Sequence, residues 1–384
     1  MPALASQNLV RVSGSDRFTT SVAISMTQFP TNKSASAVVL ASGRNFPDAL
    51  AGVSLAAVVD GPLLLSEPGD LTADTRTELQ RVLPTGATVY VLGGDAALSA
   101  TVENAVSTLG YTVHRIASAT RYGTATGIAA EVDRARDGQK DRAYLVSGAS
   151  FADALSIAPR AAQDSEVLLL NPKGHVATEV NVYLDNTQQI SHITIIGGTA
   201  VISDGVIVEL NARGITVDRI AGADRYQTGK LVADLSVTAD MPEGIGLANG
   251  ENYPDALSAG SLLASLKFPL LLAKQNNVGC LASGSFLYDQ REVIDTGFVF
   301  GGTAAISTST ENYAEKLIDG TRQPGDCDTH DVDLGNDGID KDCSDFGTRG
   351  KAQAYFEQDG GSITRNVDDL DADHDGLACE WLPE

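Results

Sequence analysis

The chain has 384 residues, 43% of them hydrophobic, which is enough to bury several small cores; its most apolar stretch, ALSAGSLLASLKFPLLLA, is broken by Lys267 and Pro269 short of a membrane span. The formal net charge of -23 is uneven, with 17 acidic and 5 basic side chains from Thr321 to the end. A field this negative repels phosphate backbones and excludes nucleic acid as an expected partner.

At the N-terminus, Ala3-Leu4-Ala5 resembles the end of an A-x-A signal-peptidase site without the apolar region before it, which predicts a secreted protein. AVVLAS (37–42) then reads as a buried strand, PDALAGVSLAAVVD (47–60) as an Ala-rich helix and PLLLS (62–66) as a strand. TADTRTELQRVL (72–83) is an amphipathic helix with Thr72 as N-cap. TVYVLGG (88–94) is a strand, SATVENAVSTLG (99–110) a helix ending at Gly110, and TVHRIA (112–117) a last strand. Continuous apolar strands separated by helices predict a parallel sheet covered on both faces, a compact doubly wound α/β module.

The pattern then returns. Arg11, Arg115 and Arg219 are 104 residues apart, as are Arg17, Arg121 and Arg225 and the pairs Gly93-Gly94, Gly197-Gly198 and Gly301-Gly302. NFPDAL (45–50) returns as SFADAL (150–155) and NYPDAL (252–257), so that Asp48, Asp153 and Asp255 are 105 and 102 apart. A period this long makes each unit a small domain rather than a solenoid turn. The expected organisation is an N-terminal segment 1–10, repeats at 11–114, 115–218 and 219–320, an acidic linker 321–342 and a tail domain 343–384. Modules packed on one another leave little need for self-association, so a monomer is expected.

Each repeated feature admits two readings. Pro47 suits the first turn of a helix because its φ is preset and its missing N–H would be orphaned there, and Asp48 beside it is favoured by the helix dipole. The same place is the carboxyl end of a parallel strand, where open α/β sheets bind ligands. Phe46, Phe151 and Tyr253 either stack on sugar rings or plug the core. The glycine pairs form tight turns, with Ser99, Ser203 and Ser307 as N-caps of the next helices. Backbone N–H groups at Gly94, Gly198 and Gly302 could instead hold a phosphate or carboxylate. Arg17, Arg121 and Arg225 either pack against carboxylates or point at an anionic ligand.

In the tail, Asp371, Asp373 and Asp375 at alternate positions before Gly376 reproduce the first half of an EF-hand loop. Glu380 stands at the tenth loop position rather than the twelfth. These residues predict a Ca2+ site in a shortened loop. A fainter copy at 333–342 carries Asp333, Asp337 and Asp342, with Gly335 in place of the middle acid. The four cysteines, Cys280, Cys327, Cys343 and Cys379, have no zinc spacing and fit disulfides. Pairing Cys343 with Cys379 would brace a domain too small to rely on its core, leaving Cys280 with Cys327, one of three possible connectivities.

SGSDRFTTSVAIS, ASGRNFPDALAG, GPLLLS and VYVLGGDAALS, in that order and three times over, resemble the cell-wall-binding repeat type 2 family of Gram-positive bacteria. The resemblance implies three modules about a pseudo-threefold axis that anchor a protein non-covalently to an anionic secondary cell-wall polymer, polysaccharide or teichoic-acid-like. It implies a location on the cell-wall surface, and that the LLL segments border the polymer site. Unit two departs from the pattern, with Ala152 for the Pro, Thr120 for the Asp before Arg121, and VLLL (167–170) for PLLL, and is expected to bind weakly. DCSDFGTRGKAQAYFEQDGG followed by LDADHDGLACEW is similar to the excalibur domain, an extracellular calcium-binding module.

The five histidines occupy non-equivalent positions, no G-x-S-x-G or H-E-x-x-H occurs, and Asp48 has no repeated partner acid. A binding protein rather than an enzyme is therefore expected, with a cell-wall glycan or peptidoglycan hydrolase as the alternative.

Overall fold

A computed structural model describes residues 9–136, 140–240, 243–325, 348–358 and 377–379. The chain divides into two compact units, Met1–Cys327 and Asp328–Glu384. The first unit opens with β1 (Leu9–Val12) and α1 (Arg17–Gln28). It continues through β2 (Ala37–Ser42), α2 (Pro47–Val58), β3 (Leu63–Ser66), α3 (Ala73–Val82), β4 (Thr88–Leu92), α4 (Ala100–Thr108) and β5 (Thr112–Ile116). The same series then recurs as α5 (Arg121–Ala135), β6 (Arg142–Ser147), α6 (Ala152–Gln163), β7 (Val167–Asn171), α7 (Thr178–Thr187), β8 (His192–Ile196), α8 (Asp204–Ala212) and β9 (Thr216–Ile220). The third pass runs α9 (Arg225–Asp240), β10 (Gly244–Asn249), α10 (Ala259–Leu266), β11 (Leu270–Ala273), α11 (Ala282–Asp289), β12 (Thr296–Phe300) and α12 (Thr308–Ile318).

These strands make three four-stranded parallel sheets, ordered β3-β2-β4-β5, β7-β6-β8-β9 and β11-β10-β12-β1. The α/β class and parallel strands agree with the periodicity. In the first two sheets the edge strand comes from the end of the same pass, through β5 and β9. In the third it comes from the N-terminus, with Leu9 opposite Gly297 and Val12 opposite Phe300. Arg11 fastens this closure: its Nη1 donates to Gly301 O at 2.7 Å and its Nη2 lies 2.6 Å from Glu311 Oε2. Arg115 and Arg219 do the same within their own sheets, donating to Gly93 O and Gly197 O and facing Glu103 and Asp204.

The centre of the first unit is built from α2, α6 and α10, each touching the other two. Ala, Ser and Gly dominate their buried faces, which lets the helix backbones approach closely. At Gly260 a Cβ would stand 2.6 Å from Val53 Cγ1, so α10 reaches α2 only because that position lacks a side chain. Pro47 is at the start of α2 as its residue type predicts, and α6 starts at the equivalent Ala152 without a proline. The third copy differs: Pro254–Ser258 forms turns and the α-helix begins only at Ala259. There Asn249, where the other sheets have Ser42 and Ser147, accepts from the backbone N–H groups of both Glu251 and Asn252, whereas each serine accepts from one.

In the second unit, the described residues comprise α13 (Arg349–Gln358) and a small apolar cluster of Ala352, Phe356, Ala378 and Cys379. Gln353 Oε1 accepts from the Ala378 N–H at 2.7 Å. No cysteine among the described residues is free. No helix among them is long and apolar enough to cross a membrane.

Replacing Arg11 by Met removes a charge-assisted pair and a bond to a backbone carbonyl, and should cost about 2 to 4 kcal/mol of unfolding free energy in urea titration. Deleting residues 1–13 should cost more. An unchanged midpoint for the deletion would show that the closing strand is dispensable.

Candidate functional site

Asp48, Asp153 and Asp255 all lie just past the carboxyl end of the second strand in their sheet, β2, β6 or β10, and each meets the turn after the third, β4, β8 or β12. In that turn Gly93, Gly197 and Gly301 have φ of +88°, +113° and +97°. A Cβ on them would stand 2.4, 2.5 and 2.7 Å from Oδ2 of Asp48, Asp153 and Asp255. The first glycine of each pair is thus required twice over, by a left-handed backbone and by the carboxylate pressed against it. The second, Gly94, Gly198 or Gly302, faces open space with nothing within 4 Å of a would-be Cβ. Sequence reasoning singled out the second glycine; the equal spacing of the first was the available signal.

Arg17, Arg121 and Arg225 begin α1, α5 and α9, whose caps are Asp16, Thr120 and Asp224. Each Nη1 donates to a carbonyl in the loop of the sheet its helix covers: Arg17 to Gly43, Arg121 to Gly148 and Arg225 to Gly250. Each also reaches the preceding module. Arg121 lies 5.9 Å over the Phe46 ring and Arg225 5.6 Å over the Phe151 ring. The positive charges of Arg121, Arg225 and Arg17 act on Asp48, Asp153 and Asp255 in turn. Each arginine therefore spans a boundary between two modules, with its charge acting on the aspartate across it. Arg121 and Arg225 remain exposed, and among the described residues nothing accepts from their Nε or Nη2.

Phe46, Phe151 and Tyr253 come together where the three modules meet, with ring centroids 6.1, 5.5 and 5.3 Å apart. They plug the centre, and the Tyr253 hydroxyl donates to Arg44 O at 3.2 Å. Ser99 and Ser203 stand at the N-caps of α4 and α8 but make no side-chain cap bond; of the three serines only Ser307 does, to the Thr310 N–H. Their backbone N–H groups instead tie to Pro68, Lys173 and Gln275.

At the first module boundary these groups border a groove of about 530 Å3 lined by Arg44, Asn45, Asp48, Asp95, Ser118 and Arg121. In the third module a smaller cavity of about 160 Å3 lies against Asn249, Asn252, Asp255 and Ala305. Burial pushes the Asp48, Asp153 and Asp255 carboxyls above the usual aspartate value, and the facing arginine opposes that rise in each. Asp255 is also held down by the Thr20 hydroxyl. Among the described residues nothing donates a hydrogen bond to the side chain of Asp48 or Asp153, and Asp48 lines the groove. The arrangement can grip a polyol, or an anion through the arginine, with a carboxylate beside it to accept hydroxyl protons or share a cation. The expected calcium ligands Asp371, Asp373, Asp375 and Glu380, and the fainter copy at 333–342, lie outside the described residues.

Comparison with known proteins matches the description "cell wall binding domain 2 (CWB2)" to residues 11–103, 115–207 and 219–311, and "Excalibur calcium-binding domain" to residues 340–380. The chain is 28% identical over 344 residues to the N-acetylmuramoyl-L-alanine amidase LytC of Bacillus subtilis, covering 88% of this chain and 65% of that protein. It is 30% identical over 303 residues to the amidase enhancer of the same organism, covering 79% of this chain and 39% of the other. Among solved structures, Cwp6 from Clostridium difficile aligns with a TM-score of 0.73 at 23% identity, over 88% of this chain and 51% of that one. Cwp8 from the same organism aligns with a TM-score of 0.72 at 25% identity, over 81% and 52%.

Gly93→Ala should destabilise the protein by about 2 kcal/mol or more, while Gly94→Ala should stay within about 1 kcal/mol of the parent. Equal midpoints in urea for the two variants would remove the carboxylate contact as the reason for the first glycine. For the acids the folded pKa lies above the unfolded one. Their contribution is fully present below the ordinary aspartate value of 3.8 and is lost as pH rises through the folded value. The parent should therefore lose stability relative to the Asp48→Asn/Asp153→Asn variant between about pH 3 and pH 7. A difference moving the other way in paired urea titrations would mean that arginine attraction outweighs desolvation.

Proposed function

The chain belongs to the cell wall binding domain 2 family, with an Excalibur domain after the third repeat, and from that premise we propose that it anchors non-covalently to an anionic secondary polymer of a Gram-positive cell wall. The observation that carries this reading is the placement of Arg17, Arg121 and Arg225, each spanning two modules at the mouth of an open turn. Asp48, Asp153 and Asp255 frame the same places, and Gly94, Gly198 and Gly302 leave the backbone accessible there. A net charge of -23 opposes a polyanion at long range, so contact relies on these local guanidinium nitrogens and on cations shared with the acids. Three weak sites on one rigid body give avidity on a repetitive polymer without any single tight contact. Unit two, which starts α6 without a proline, is the weakest of the three in this reading.

Asp371, Asp373, Asp375 and Glu380 would hold Ca2+ through carboxylate oxygens, the ligand type a hard cation takes, and the ion would order the tail. Disulfides Cys343–Cys379 and Cys280–Cys327 would brace it. The protein is read as extracellular, monomeric and non-catalytic. Its two curated relatives are named for different activities, an amidase and an amidase enhancer, and this chain overlaps both while spanning 65% and 39% of their lengths. What they share with it fits attachment better than hydrolysis.

Purified cell walls, before and after stripping of secondary polymers, test the proposal by pull-down. Each single Arg→Ala variant at 17, 121 or 225 should lower retention about two- to fivefold, and the triple variant more than about tenfold, with chelator leaving most retention in place. Equal retention on stripped walls would remove the polymer from the account, and loss with chelator alone would move binding to the tail.

A further inference from the structure

At one place the three modules are built differently. Tyr90, Thr194 and Phe298 occupy the same position on β4, β8 and β12, and His114, Asp218 and Val10 the position beside them on the edge strands. In the first module Tyr90 packs on His114 at 5.3 Å between centroids; His114 Nδ1 is 3.7 Å from Glu131, which Arg134 holds. In the third module Phe298 lies between Phe268 and Phe300, at 6.5 and 6.1 Å. In the second module Thr194 and Asp218 supply no ring, and a cavity of about 800 Å3 opens there, within the range of small-ligand sites. It runs along the second sheet from Arg142, where β6 begins, to Ile220 at the end of β9.

The lining is charged on both sides. Glu166 is 8% exposed and Tyr144 7%, and neither side chain makes a hydrogen bond among the described residues. The closest ion-pair contact to the Glu166 carboxylate is Arg142 Nε at 3.9 Å, too far for a hydrogen bond. Arg160 is taken up by Asp164 at 2.6 Å, and Asp218 lies 3.1 Å from His192 Nε2. That leaves a buried carboxylate without a hydrogen bond, faced only at ion-pair range by Arg142 and by the charges of Lys140 and Arg160, beside a buried phenol. Burial pushes the Glu166 carboxyl up, and a bound cation would relieve that cost.

We propose that this cavity binds a short peptide with a free amino terminus and a free carboxylate, the ammonium on Glu166 and Tyr144 and the carboxylate on Arg142 and Lys140. A polyanion does not match a buried acid, and a simple cation does not use the two basic side chains. The second module, which departs from the repeated pattern at Thr120, Ala152 and Val167, thus carries a site that neither of the other modules has room for.

Titration of the full chain with L-alanyl-L-alanine, its N-acetyl form and its C-terminal amide, monitored by calorimetry or ligand-observed NMR, tests this. The free dipeptide should bind saturably, and blocking either end should weaken it about tenfold or more. Glu166→Gln and Arg142→Gln should each cost about tenfold, and Thr194→Tyr, which installs the residue of the first module, should abolish binding. Thermal unfolding checks that each variant is folded, and Glu166→Gln, which keeps the side-chain shape, serves if Thr194→Tyr is not. The proposal fails if no saturable binding appears up to about 10 mM dipeptide, or if the blocked forms or folded variants bind as well as the parent does the free dipeptide.

Discussion

The pairing of β1 with β12 decides the architecture of the first unit. Without it the third sheet would have three strands and an open edge, and α1 would lack its anchor. With it, Arg11 reaches Gly301 and Glu311 about 300 residues along the chain, and the short loop after Val12 delivers Arg17 to the boundary between the third and first modules. The boundary made through a chain terminus thereby repeats the two made through continuous chain, where β5 leads into α5 and β9 into α9.

Charge and burial oppose each other at every boundary. An aspartate sits in the first turn of α2 or α6, where the helix dipole favours it, yet it is pressed against a glycine and taken out of water. Desolvation outweighs the arginine opposite, so the acid is costly to keep ionised. Each of these side chains is kept at a cost to stability, at the carboxyl ends of parallel strands and beside an exposed guanidinium.

Much of this is legible in the amino-acid sequence alone. Strands such as AVVLAS and the Ala-rich helix after them arise from apolar runs and proline placement, and the 104-residue spacing predicts three modules. Three things are not legible there, each because it depends on contacts between distant segments. LVRV is a very short strand, and nothing local says it pairs with TGFVF rather than with its own repeat. Phe46, Phe151 and Tyr253 look the same whether they face sugar or each other; only the meeting of the three loops after β2, β6 and β10 decides it. The cavity of the second module arises from the space Thr194 and Asp218 fail to fill, and an unfilled volume leaves no mark on periodicity. The late start of α10 is a local exception: the motif NYPDAL matches, yet Pro254–Ser258 forms turns and the helix begins only at Ala259.

The slot that β1 occupies is the one a strand placed after α12 would need. A fourth repeat could not be appended as a solenoid appends its turns, because its predecessor's edge is already taken; it would have to expel the N-terminus first. The number of module boundaries is therefore set by closure at three. Duplication at the gene level would not lengthen this scaffold but reopen it, so growth by repeats must proceed by joining whole closed units.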